Sequence, residues 1–588
     1  MNTERYTVLN TADSIVEHIE RCLDRLGQSP SNVWISTVDP DVVREQAACV
    51  VRRLEGGELL PLAGVTVAVK DNIDVAGIPT TCAAPWTSRM PQEDATCVRR
   101  LREAGAIVLG KTNMDQFATG LVGTRSPYGV VSSIDDPTLI SGGSSSGSGV
   151  VVAAGLADIA LGTDTAGSGR VPAAFNRIYG IKPTVGLIPV TGVTPACPSF
   201  DVVSIFCTDL KLGQRALAVM AGPDGKDAKA RDFSPSAPLG MAKKPVVIAP
   251  VASNIEGMDE QWRRDFNDEI SRFESLGYVV RQTDVSVMLE AAELLYGGSL
   301  VAERYASIGS AYASEYDPAV GEDPSVRAIV LEAGHLSADS FVKDQQRLKD
   351  AKLQADRIMT DADLLILPTT TRHPSIADVQ ERPIAVNSDL GRFTNFVNLL
   401  DYSALAVPSL TNPSFSVTLI AEAFHDFAIL DLAQQVYQKQ AVPAEVLLPH
   451  GVGENLFVVG EHMRGLSLNG QLQQLGARFV EVTSTANGYE LVALNTKTPK
   501  PTLIFHAKKQ EILTGVEGEL WCIPAVGLTK LLKSLPSPMA LGPVYLADGR
   551  KVTGFGVDAS VYEAENISAY GSWRRYQDKI RATESTAA

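Results

Sequence analysis

No stretch of this chain is apolar for 18 residues or more, so no segment is expected to span a bilayer. Residues 1–30 are polar with a helical pattern and lack the charged-then-apolar layout of a secretory leader, which makes the cytoplasm the expected location. Cysteine is sparse and scattered: Cys22, Cys49, Cys82, Cys97, Cys197, Cys207 and Cys522 form no C-x-x-C pair, which argues against a disulfide framework and a zinc site. No H-E-x-x-H occurs, and neither a metal nor another cofactor is expected. Basic blocks are missing too. With 52 Lys and Arg against 68 Asp and Glu, the formal charge of −16 argues against nucleic acid or anionic membrane as the main partner. Histidine is scarce, seven in all, with His18 alone before His335.

A content of 45% hydrophobic and 20% charged residues is that of a globular protein, and 588 residues exceed one ordinary core, so at least two domains are expected. Ile15, Ile19, Cys22, Leu23 and Leu26 make a helical stripe whose start Thr11 or Asp13 could cap. Residues 62–70 are a strand-like run ending on Lys70. Residues 94–120 read as a helix, a strand over 106–110 and a second helix from Thr112. Helices and strands alternate on to Leu367, with 253–360 mostly helical, which favours an α/β architecture. Beyond the helix 430–440 the character changes. Residues 441–455 read as a linker, and short β-like runs at 456–459, 479–482, 489–494, 520–523 and 544–546 predict a smaller strand-rich domain. The expected division is 1–440, a linker 441–455, a second domain 456–576 and a tail 577–588.

Two loops rich in Gly and Ser stand out, SGGSSSGSG at 141–149 and GTDTAGSGR at 162–170. Such loops bring backbone N–H groups close to a reacting atom. Alone, the first also reads as a flexible linker or a phosphate-binding turn. A serine nucleophile needs a base and oxyanion donors. Histidine is poorly placed for that base, and no G-x-S-x-G frames Ser168. A lysine whose charged form is disfavoured by burial is the other suitable base, and Lys70 ends an apolar run where burial is expected.

The two loops resemble the GGSSGGS and GSDTGGSIR elements of the amidase-signature family. VAVKDNIDVAGIPTTCA, GKTNMDQFATG and GIKPTVGLIPVTG resemble three further elements in the family's order, together covering about residues 60–195. The resemblance implies a mixed central sheet flanked by helices. It also implies Ser168 as nucleophile, Ser144 (after a cis peptide bond) as the bridging serine and Lys70 as base. The N–H groups of Thr165, Ala166 and Gly167 are implied as the oxyanion hole. Ala166 stands where the family more commonly has glycine, and Gly169 where isoleucine is usual. Ser145, Ser146 and Ser148 are expected to be turn formers, Lys111 and Lys182 structural, and Arg170 a packing or helix-start residue.

Residues 119–129, TGLVGTRSPYG, and LLYGGSLVAERY at 294–305 resemble the branch of the family that hydrolyses allophanate, a small anion. That likeness implies Gly123, Tyr296 and Arg304 as substrate contacts, with the guanidinium suited to a carboxylate. The tail, with LFVVGEHMRGLSLN at 456–469 and GELW at 518–521, resembles the domain accompanying that branch, of γ-glutamylcyclotransferase-like fold. It implies release of ammonia and N-carboxycarbamate, then loss of CO₂ with the second domain involved; His462 and Glu519 are its candidates. A homodimer is implied by the family alone. The alternatives are hydrolysis of another small amide, malonamate- or biuret-like, and an assembly protein on a non-catalytic amidase fold.

Overall fold

The computed structural model describes residues 11–241, 244–438, 448, 452–495, 500–506, 513–557 and 564–587. The chain divides into two compact units, Met1–Asp232 with Lys244–Ala433 and Phe233–Lys243 with Gln434–Ala588. Most of the expected linker 441–455 lies outside the described residues.

In the first unit the early strands are β1 (Trp34–Thr37), β2 (Thr66–Lys70), β3 (Ile107–Thr112), β4 (Ile159–Asp164), β5 (Tyr179–Lys182) and β6 (Val202–Cys207). The later ones are β7 (Val246–Pro250), β8 (Val279–Thr283), β9 (Leu364–Pro368), β10 (Ser403–Pro408) and β11 (Ser416–Ala421). They form one sheet in the order β1-β3-β2-β4-β6-β5-β10-β11-β9-β7-β8. It is mixed: β2 runs parallel to β3 and β4, whereas β4 and β6 are antiparallel. Every residue of β2, β3 and β4 is buried, as helices over both faces require, and this explains their nearly unbroken apolar runs. Each fully buried valine there contributes about 1.5–3 kcal/mol. Lys70 sits at the C-terminal end of β2, inside this core.

The first helix, Ala12–Leu26, carries Thr11 as its cap and buries Ile15, Ile19, Cys22 and Leu23, the face its periodicity indicates. One expectation needs correction. No helix starts at Thr112: after β3 there is only a short 3-10 turn, Gln116–Ala118, with Phe117 at φ 48°. The carboxylate of Asp115 binds the N–H groups of Val122, Gly123 and Arg125, and so folds 115–125 into a loop. The span 253–360 is mostly helical, as its pattern indicates, with one strand, β8, whose partly exposed edge position gives it no apolar run. Gly105–Thr112 spells G-x-x-x-x-G-K-T, the lettering of a phosphate loop. Here those residues lie largely along β3, with Lys111 buried 3.2 Å from Asp71, so the spelling carries no such loop.

The second unit contains β12 (Glu454–Val458), β13 (Arg478–Ser484), β14 (Tyr489–Leu494), β15 (Lys500–Phe505) and β16 (Glu517–Ile523). With β17 (Met539–Tyr545), β18 (Lys551–Val557) and β19 (Ala564–Asn566) they make a five-stranded sheet, β13-β16-β12-β18-β17, and a three-stranded one, β15-β14-β19. Its core gathers Leu456, Phe457, Leu472, Leu491, Leu520, Trp521 and Phe555. Leu239 belongs to this core, and its N–H donates to Gly476 O at 2.8 Å, which is why the short segment around it joins the second unit.

Candidate functional site

Burial brings three side chains from three different elements into line. Lys70 comes from the end of β2, Ser144 from the loop before the helix Ser146–Ala153, and Ser168 from the turn after β4. Lys70 Nζ donates to Ser144 Oγ at 2.8 Å, and Ser144 Oγ donates to Ser168 Oγ at 3.0 Å. That direction belongs to the charged amine. Once the amine is neutral, the same distances let the hydroxyls donate toward the nitrogen. The Gly143–Ser144 peptide is cis. A Cβ on Gly143 would lie 2.0 Å from Asp115 Oδ2, so only glycine allows the loop this close to that carboxylate.

Burial pushes the Lys70 amine down to about 7 against the pull of Asp115, Asp164 and Asp201, while the charge of Arg304 lowers it further. Relative to an ordinary lysine this is on the order of 5 kcal/mol in favour of the neutral form. A base with that value is half free at neutral pH. kcat/KM for amide hydrolysis should therefore rise with pH through about 7 and level off above 8, the acid form being the inactive one. A profile flat from pH 6 to 9 would remove Lys70 as the base.

Sequence reading misses Thr163, whose hydroxyl accepts the other Lys70 hydrogen bond, at 2.7 Å. It belongs to the second Gly-rich stretch but lies on its strand part, β4, and its place beside Lys70 is visible only once the strands pair. Asp164 is missed as well. Its carboxylate takes the N–H groups of Gly167 (2.9 Å) and Gly169 (3.0 Å) and the guanidinium of Arg170 at 2.9 Å, so Arg170 is a buried packing residue of this turn. The Gly167 N–H, expected as an oxyanion donor, is thereby occupied. Thr165 and Ala166 keep N–H groups with no hydrogen-bond partner among the described residues. Gly169 is glycine because a Cβ there would meet Ser204 Cβ at 2.5 Å. The neighbouring serines serve the backbone: Ser145 donates to Thr163 O, Ser146 to Asn113 O and Ser148 to Leu161 O. Lys111 pairs with Asp71, and Lys182 donates to Pro183 O.

Arg304, on the helix Ala302–Ile308, is fully buried. Its Nη2 donates to Tyr296 Oη at 2.7 Å and its Nη1 to Thr119 Oγ1 at 2.9 Å, while its Nε has no partner among the described residues. Burial raises the Tyr296 phenol, keeping it protonated and able to donate. Gly123 is less free than expected. Its N–H donates to Asp115 and its carbonyl accepts Val131 N–H, so only a second carbonyl lone pair remains for a ligand. Its φ of 77° and the 2.4 Å that a Cβ would leave to Ser141 Oγ explain the glycine.

In the second unit, His462 lines a cavity of about 370 Å³ with Glu461, Ser467, Gln471, Lys500 and Phe555. His462 Nε2 donates to Gln471 Oε1 at 2.9 Å, and burial lowers its imidazole below the usual value. Glu519 does not line this cavity: its carboxylate is taken by Arg464, Arg574 and the Trp521 indole. The carboxylate that does is Glu461, next in sequence to His462, whose exposure to the cavity no sequence pattern signals. Among the described residues no group of three His, Cys, Asp or Glu side chains is arranged to hold a metal, and no helix is long and apolar enough to cross a membrane.

A family model described as Amidase matches residues 17–430, and one described as Allophanate hydrolase C-terminal domain matches residues 454–578. The chain is 37% identical to a urea amidolyase of Saccharomyces cerevisiae across 96% of its own length and 32% of that protein's, so it spans about a third of the curated relative. A second urea amidolyase, from Lachancea kluyveri, is 38% identical across 94% of this chain and again 32% of the relative. A solved structure of Kluyveromyces lactis allophanate hydrolase superposes with TM-score 0.83 at 34% identity, covering 97% of both chains.

Proposed function

Since the chain belongs to the amidase family, we propose that it hydrolyses allophanate through Ser168, Ser144 and Lys70. The observation that carries the chemistry is the unbroken hydrogen-bonded line from the buried amine to both hydroxyls. In this reading Ser168 Oγ attacks the terminal carbonyl carbon, its proton passes to Ser144, and the proton of Ser144 passes to neutral Lys70. The N–H groups of Thr165 and Ala166 stabilise the tetrahedral oxyanion. The relay then reverses, protonates the leaving nitrogen and frees ammonia. Water attacks the remaining acyl-serine by the same route and releases N-carboxycarbamate.

The substrate part of the reading rests on Arg304, a buried guanidinium whose Nε–H has no partner among the described residues. The free Nε–H, with the Tyr296 hydroxyl beside it, suits a small carboxylate. The match along the tail of the chain points the same way. Ammonia release by the purified protein from allophanate, malonamate, biuret and long-chain or aromatic amides tests it; preference for the last group would overturn the substrate and keep the triad. Arg304→Gln should cut kcat/KM for allophanate about 100-fold or more, chiefly through KM, since a buried charge pair is lost. Equal activity on uncharged amides in parent and variant would support the carboxylate role.

The second unit, with His462 in its cavity, is proposed to assist loss of CO₂ from N-carboxycarbamate; its imidazole is neutral at working pH and able to move a proton. Glu519 enters this reading only as a support for Arg464 and Arg574. A cytoplasmic homodimer releasing nitrogen in urea breakdown completes the proposal.

A further inference from the structure

One buried carboxylate next to the reacting turn does more than act on Lys70 through its charge. Asp201 is 4% exposed and immediately precedes β6, which pairs antiparallel with β4 up to Val202 opposite Asp164. Asp201 and Thr165 are therefore the next residues across the end of the ladder, and the Thr165 hydroxyl donates to Asp201 Oδ1. The other bonds of the carboxylate go to the N–H groups of Ala196, at 2.7 Å, and Cys197, at 3.1 Å. The same short segment reaches the helix bearing Arg304, where Ser199 N–H donates to Glu303 Oε2 at 2.8 Å. Asn398 Nδ2 bridges Asp164 O and Phe200 O, closing the frame from the other side.

We infer that Asp201 is a positioning residue for the hydrolysis, fixing the Thr165–Ala166 donors over Ser168 through the Thr165 hydroxyl and tying that turn to the segment that contacts the Arg304 helix. The Thr165 side chain is then spent on the frame and not on substrate, which agrees with its 2% exposure. Oxyanion donors act by being fixed before charge develops, and a turn freed at one end loses that advantage while ground-state binding is little changed. The inference rests on the Ser168 reading above.

Thr165 is the cleaner residue to change, because Asp201 also lies in the electrostatic surroundings of Lys70 and Arg304. Thr165→Val keeps the shape and removes the hydroxyl. With whichever amide the parent hydrolyses, kcat should fall about 30- to 100-fold with KM within threefold, and Thr165→Ser should return kcat to within about threefold of the parent. Thr165→Ala carries the same test if the valine variant does not fold, and the thermal transition of each variant identifies a folding loss. A valine or alanine variant within twofold of the parent kcat overturns the inference, as does a serine variant as impaired as valine. Inactivity of the parent on every amide tested would instead count against the proposed function, so the two failures are separable.

Discussion

Ser168→Ala should lower amide hydrolysis by about 10⁵-fold while leaving the fold and ligand affinity near their parent values. Ser168 is 3% exposed, and its Oγ meets Ser144 Oγ at 3.0 Å and the Gly120 carbonyl at 3.5 Å. Removing one oxygen deletes the attacking atom, leaves the Thr165 and Ala166 donors standing, and touches neither Arg304 nor Tyr296. The residual rate is what binding and oxyanion donors supply unaided, of order 10³-fold over water in serine hydrolases stripped of their nucleophile. Ammonia release measures the loss, and calorimetric titration with malonate, a small dicarboxylate, reads the retained site. More than a tenth of parent activity in this variant would remove Ser168 from the role. If Ser144→Ala were the inactive one and Ser168→Ala active, the two hydroxyls would have exchanged places in the mechanism.

How far the sequence alone reaches can be judged at single residues. Lys70 is legible because a charged residue ending a buried-strand pattern is conspicuous, and the two serines sit in loops whose Gly content announces close backbone approach. The smaller second domain is legible from its alternating runs, although β15, β18 and β19 are not: Lys500-Pro501 opens the first, Gly554 and Gly556 dilute the apolar alternation of the second, and the third is only three residues long. The helix expected from Thr112 has an apolar pattern but is undone by Asp115, whose carboxylate gathers three N–H groups from the following loop. Asp115, Asp164 and Asp201 are what the reading lacks. On a single sequence an aspartate defaults to the surface, and only the folded chain shows that each is buried against loop N–H groups. The same limit explains Glu519. Its place in the GELW motif marks it, yet β16 points it at two arginines and an indole, while Glu461 takes the cavity wall.

Lys70→Met should abolish activity to a similar degree, by about 10⁴-fold or more, and erase the rise of kcat/KM through pH 7 in whatever rate remains. Methionine fills the volume of the alkyl chain, so the core around β2 stays packed. The cost is two buried hydroxyls, Ser144 and Thr163, each losing its amine partner, about 1–3 kcal/mol apiece and offset by relief of a buried ammonium. Folding should therefore survive, and loss of activity reports chemistry. Neither group can take over: Thr163 is no base, and the half-buried imidazole of His18 is bound to Asp158 at 2.7 Å, beside Thr66 at the opposite end of β2 from Lys70. Arg304 and the three surrounding aspartates hold the local potential, but none of them touches the Ser144 hydroxyl. A methionine variant that kept a hundredth of parent turnover, with the limb near pH 7 intact, would mean that another group strips the proton and that Lys70 only fills space beside it.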